Sequence, residues 1–213
     1  MADIIRQSPV QFNASATKTE VRNNWPVVLE YDDEGQGPHV VDLSHNTRWD
    51  LQSGNLADYN PCDTAVPEKP GQCALENKTL LNRMNGTQTA VWHLSGAPAD
   101  MPDDSAYTDV SESTVFLAVF GPNAFGIAEK LSSLDLFDPE KKTPFLLQGP
   151  FSHVPCQIVT VEKGADGSGG FLLTCSRGYG HTMTHAVLEA GAEFGLRPAG
   201  ENRFANWLEG VTA

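Results

Sequence analysis

The run Val115 to Phe120 is unbroken Val-Phe-Leu-Ala-Val-Phe, and Gly121-Pro122-Asn123 follows it at once. Apolar residues at every position, with no polar alternation, mark a strand buried in a sheet. The turn residues after it open a helix, because proline in a first helical turn loses no hydrogen bond that the helix would have made. Phe125, Ala128 and Leu131 lie on the inner face of that helix, which is expected to end before Asp138-Pro139. Residues 157–162 and 170–174 read as a hairpin around the Gly-rich segment 164–170. From Tyr179 to Phe194, the residues Tyr179, Met183, Val187, Ala190 and Phe194 form an apolar stripe at helical spacing. Gly195, Pro198 and Gly200 stop that helix. Strand, helix, hairpin and helix in this order make an α+β fold with antiparallel sheets and packed helices, rather than a doubly wound one.

The first half is less patterned. Val27 to Tyr31 and Val40 to Leu43 read as short strands joined by a turn, and Thr87 to Leu94 as a third strand. Leu75 to Asn85 is expected to form a short helix. Irregular loops are expected at about 55–72, where Pro61, Pro67 and Pro70 fall, and at 95–106. Neither an internal repeat nor a linker between two cores is evident, so residues 1–213 are read as a single domain.

A formal net charge of −13 argues against phosphate backbones and anionic membranes as partners, since both need clustered Lys and Arg. The start of the chain has no basic stretch followed by an apolar one, and no run approaches the roughly 18 apolar residues of a membrane span. The expected location is therefore the cytoplasm. Cys156 and Cys175 fall in strand-like runs and read as buried thiols, while Cys62 and Cys73 flank a Pro-rich loop and are the pair to consider for redox or sulfur chemistry.

Several groups invite a chemical reading. The 164–170 segment is followed by a strand and lacks a downstream Lys-Ser/Thr, so it reads as a turn rather than a phosphate cradle. His181, His185, Glu189 and Glu193 recur every four residues opposite the apolar stripe, which suits a solvated face; no metal site is expected. Asp42, Ser44 and His45 crowd one strand end, where side-chain to backbone bonding explains Asp42 and Ser44. The Pro-stiffened segments 149–155 and 195–203 carry His153, Arg197 and Arg203 and are candidates to line a ligand cleft or partner surface.

The passage Tyr107-Thr-Asp-Val-Ser through Val-Phe-Gly-Pro-Asn-Ala resembles the "vtDvSd…lalqGPkA" strand-to-helix passage of the aminomethyltransferase (glycine-cleavage T-protein) superfamily. Gly170-Phe-Leu-Leu, and His185-Ala-Val-Leu-Glu-Ala-Gly-Ala-Glu-Phe-Gly-Leu-Arg-Pro-Ala-Gly, are similar to its "Gfeiyv" and "aLleaGaeyGlkPaG" segments, and Val41-Asp-Leu-Ser-His to its "vvDLSh" strand. In length the chain is nearest the gamma subunit of heterotetrameric sarcosine oxidase. The resemblance implies that superfamily's folate-binding-domain fold, with tetrahydrofolate as the possible cofactor. It also shows two departures. Where active members carry an Asp, this chain has Gly86-Thr87-Gln88-Thr89-Ala90; where they carry a folate-gripping Glu, the turn offers only Asp166.

The resemblance therefore leads us to expect a non-catalytic accessory subunit without independent activity, whose partners are larger oxidoreductase subunits. Alternatives are a folate-dependent one-carbon transferase with atypical catalytic residues, and a docking or transfer partner of a lipoyl-carrier protein. The residues expected to bind a ligand or partner are Asp42, His45, His153, Arg197 and Arg203; none is expected to be catalytic.

Overall fold

The computed structural model describes residues 4–212. Along the first half run β1 (Ala16–Arg22), β2 (Trp25–Tyr31), β3 (His39–Asp42), β4 (Arg48–Gln52), β5 (Cys73–Glu76), β6 (Thr79–Arg83), β7 (Gln88–His93) and β8 (Tyr107–Asp109). The second half holds β9 (Thr114–Phe120), α1 (Ala124–Leu131), β10 (Phe145–Phe151), β11 (Val154–Lys163), β12 (Gly169–Ser176), α2 (Gly180–Gly191), β13 (Arg197–Ala199) and α3 (Glu201–Thr212). The strands build a six-stranded sheet in the order β10-β11-β12-β9-β3-β13, a five-stranded sheet in the order β5-β6-β7-β4-β8, and a β1-β2 ribbon. Every pairing is antiparallel except that of β13 with β3. This is an α+β fold.

The layering follows from β9. Side chains alternate across a strand, so Val115, Leu117 and Val119 point to one face and Phe116, Ala118 and Phe120 to the other. The first set packs with Ile127 and Ala128 of α1 and Met183 and Val187 of α2. The second meets Leu80, Ala90 and Trp92 of the five-stranded sheet, together with Phe204 and Leu208 of α3. Trp92 and Phe116 meet edge to face across this seam, with centroids 5.0 Å apart. The far face of the five-stranded sheet buries Trp49, Leu51, Leu81 and Val91 under the loop that carries Leu56. A strand apolar on both faces is thus buried on both faces.

Several expectations hold. The expected second helix appears as α2 between two single 3-10 turns, and Gly195 closes it in the left-handed region at φ 72°. The Gly-rich segment is the turn of the β11–β12 hairpin. Cys156 and Cys175 are buried in strands.

Other expectations fail for local reasons. The helix expected over 75–85 is the β5–β6 hairpin, turning through Asn77 and Lys78 at φ 49° and 59°. Two successive left-handed residues make a tight turn whose twist suits the flanking strands. The segment 149–155, expected as a stiff loop, is the β10–β11 hairpin, turning in the same way at Ser152 and His153. The strands β2 and β3 exist but do not pair: β2 joins β1, whereas β3 joins β9 and β13. The helix α3 had no counterpart in the sequence reading.

The junction of β13 and α3 is tight. A Cβ on Gly200 would lie 2.2 Å from the backbone carbonyl of Leu29 in β2. The Gly200→Ala variant is therefore expected to melt about 4–10 °C lower, from about 1–3 kcal/mol of overpacking. By contrast, nothing lies within 4 Å of a Cβ at Gly210 in α3. Gly210→Ala should leave the midpoint unchanged or raise it by a few degrees through helix propensity. Calorimetric melts of the two variants check both outcomes.

Candidate functional site

The chain before β1 crosses the end of β3 and leaves a cavity of about 320 Å³ beneath it, lined by Ser8, Phe12, Pro26, Tyr31, Asp42 and His45, among others. A second cavity of about 410 Å³, with Arg6, Trp25, Asp109 and Glu112 on its walls, shares the His45 ring. Asp42 ends β3. Its Oδ1 accepts the Ser44 N–H at 2.9 Å, and its Oδ2 accepts the Ser8 hydroxyl. The Ser44 hydroxyl accepts the Phe116 N–H at 3.1 Å, so the turn after β3 is locked to β9.

His45 is half-buried on the same turn. Its Nε2 lies 2.9 Å from Glu201 Oε1. A carboxylate can only accept, so Nε2 carries the proton. Arg22 grips the same carboxylate with both Nη atoms, at 2.9 and 2.8 Å, and donates to the Gly96 carbonyl at 2.7 Å. Burial alone would push the Glu201 carboxyl up, but the bonds from His45 and Arg22 outweigh it and bring the pKa to about 2. Its place in the first turn of α3 adds the favourable helix dipole. Tyr31 moves the other way, to about 12, because burial and the charges of Asp42 and Glu34 disfavour its phenolate.

Of the residues expected from sequence, Asp42 and His45 share this cleft. Arg203 stands apart on α3 and bonds Glu34 Oε2 at 3.1 Å. Burial raises the Glu34 carboxyl, yet N–H bonds from Gly200 and Tyr31 together with Arg203 hold it below its ordinary value. Arg197 is exposed and pairs with Asp33 at 3.4 Å, and His153 sits on the exposed β10–β11 turn. Sequence reasoning missed Ser8, Arg22, Tyr31 and Glu201. The only available signal was Glu201, an acid placed directly after the helix-stopping Pro-Ala-Gly. His181, His185, Glu189 and Glu193 are all exposed, and no metal-binding group occurs among the described residues. Cys62 and Cys73 are free thiols.

The two positions where the resemblance places acids are of another kind. In the stretch Gly86 to Ala90, Thr89 is fully buried, and Ala90 is 7% exposed in the seam between the sheets, in one cluster with Phe204 and Leu208 of α3. Opposite it in register, Asn82 buries a carboxamide that no protein group satisfies. The Asp166 carboxylate is taken by the hydroxyl and N–H of Ser168 within its own turn.

Residues 74–205 match the family model described as the GCVT N-terminal domain. The aminomethyltransferase of Geobacillus thermodenitrificans is 31% identical over 121 residues, covering 57% of this chain and 31% of the relative. That of Saccharopolyspora erythraea is 34% identical over 98 residues, covering 46% and 25%. The chain thus spans about a third or less of these curated relatives. Among solved structures, a chain of heterotetrameric sarcosine oxidase from Corynebacterium sp. U-96 superposes with a TM-score of 0.59 at 16% identity, covering 78% of this chain and 88% of that one. The glycine cleavage system aminomethyltransferase T of Bartonella henselae gives 0.61 at 18% identity, covering 94% and 61%. No helix among the described residues is long and apolar enough to cross a membrane.

The Glu201 cluster carries a pH dependence with a defined sign. The folded-state pKa lies below the ordinary 4.5, so the stabilisation is complete above that value and is lost as pH falls toward about 2. Glu201→Gln should cost about 3 kcal/mol at neutral pH, because it removes the carboxylate that accepts from both Arg22 and His45. In denaturant melts, the gap between wild type and variant should close as pH is lowered through the same window.

Proposed function

The chain belongs to the GCVT N-terminal domain family, and from that membership we propose that it is a non-catalytic accessory subunit of a larger oxidoreductase assembly, built like the gamma subunit of heterotetrameric sarcosine oxidase. One observation carries this reading. In the stretch Gly86 to Ala90, where the resemblance places an Asp, no carboxylate is present, and Ala90 is packed with Phe204 and Leu208 between the two large sheets. A folate that relied on an acid in this stretch would find none. The match to most of a sarcosine oxidase chain supports the same reading.

The surface supplies what a subunit needs. In β1 every position but the last is exposed, and only one of its edges is paired. A free strand edge is a template for pairing with another chain. Ile4, Ile5 and Val21 add large apolar side chains at 79%, 70% and 76% exposure.

A second reading, a folate-dependent one-carbon transferase with rearranged groups, is favoured by the aminomethyltransferase relatives and by the unpaired Asn82 carboxamide beside Ala90.

Affinity capture of the tagged protein from its native cells, with mass spectrometry of the retained proteins, separates the readings. The accessory role predicts oxidoreductase subunits in fixed ratio, with retention reduced at least tenfold by Val21→Glu combined with Ile5→Glu. Retention of a lipoylated carrier would reassign the chain to a docking or transfer role. Recovery of the chain alone would contradict the proposal.

A further inference from the structure

The cavity beneath the N-terminal segment has a chemical character of its own. Among the described residues that line it, Asp42 is the one carboxylic acid, and neither Lys nor Arg is present. A carboxylate offers about four acceptor sites. Ser8 and Ser44 occupy two of those on Asp42, leaving about two free of these bonds. The Arg48 guanidinium is near enough to feel the Asp42 charge, but backbone carbonyls take up its donors. His45 donates a hydrogen bond from Nε2 to Glu201, and its Nδ1 has no hydrogen-bond partner among the described residues, so in the neutral ring Nδ1 presents a lone pair. Phe12 and Tyr31 stand edge to face at 74° with centroids 6.1 Å apart, forming an aromatic corner. The volume of about 320 Å³ is at the small end of ligand cavities.

Acceptors, one negative charge and an aromatic corner together select a donor that carries positive charge. We propose that this cavity binds a small organic ammonium ion, with Asp42 as counter-charge, His45 Nδ1 as a further acceptor and the Tyr31–Phe12 corner as the cation–π wall. The raised pKa of Tyr31, to which burial contributes most and Asp42 and Glu34 the rest, reports the same negative field. The accessory reading does not require this site, and either can stand if the other fails.

The test is titration of the full-length protein with butylammonium at pH 8 and about 150 mM salt, where screening over about 8 Å suppresses loose attraction to an acidic surface. Chemical shifts or calorimetry provide the readout, with butanol and butyrate as neutral and anionic comparators. Saturable binding of butylammonium is expected at least tenfold tighter than butanol, with none for butyrate. Asp42→Asn should weaken it at least tenfold, and Tyr31→Leu by about two- to fivefold. Glu189→Gln, which removes an exposed negative charge on α2 and none from the cavity, should bind as wild type does. Non-saturable binding, equal binding of butyrate, or unchanged affinity in Asp42→Asn would overturn the proposal.

Discussion

Arg48 in β4 is a cation 1% exposed to solvent, sealed between the two large sheets. Burying a charge costs several kcal/mol unless every donor is met. Here the guanidinium donates to the backbone carbonyls of Leu43, Ser44, Asn46, Ser111 and Thr114, and its Nε to the Thr114 hydroxyl at 3.0 Å. Its Cζ lies 5.0 Å over the ring of Phe116. Burial lowers its pKa to about 10 against the pull of Asp42 and Asp109, so it stays charged at neutral pH. One side chain thereby ties the β3–β4 turn of one sheet connection to the β8–β9 link of the other.

The cleft inherits its shape from that tie. Asp42, Ser44 and His45 are presented by the turn whose carbonyls Arg48 holds, and the Ser44 hydroxyl fastens that turn to β9. From there His45 reaches Glu201, and Glu201 reaches Arg22 of β1. A continuous polar chain therefore runs from the buried seam to the exposed ribbon, and it brings the N-terminus of α3 against the rest. The packing of α3 fills the seam around Ala90 through Phe204 and Leu208, and its outer side stacks Trp207 on Phe120 at 4.7 Å. The same helix orders the cleft and closes the space between the sheets.

The second half was legible because its elements are built by burial. An unbroken apolar run, a stripe at helical spacing and Gly195 in a left-handed stop each have one physical solution. Hairpins in both halves escaped because their tight turns lack the usual signature. Asn23-Asn24, Asn77-Lys78 and Ser152-His153 each place two non-glycine residues at positive φ, a conformation usually signalled by glycine. Without that signal Leu75 to Asn85 read as a helix and 149–155 as a loop. The helix α3 escaped because Pro198 and Gly200 look like the end of an element, whereas Gly200 is the close-contact point from which the next one starts. Within the site, Asp42 and His45 could be picked out because they are adjacent in sequence. Their partners Arg22 and Glu201 come from distant segments that only the folded chain brings together.

We propose that this member of the family, which has no acid between Gly86 and Ala90 and packs Ala90 against Phe204 and Leu208, does not bind folate. Calorimetric titration of the purified chain with tetrahydrofolate tests it most directly. No saturable heat is expected up to about 1 mM ligand, a concentration at which even about −4 kcal/mol of binding would register. One-to-one binding in the micromolar range would contradict that proposal.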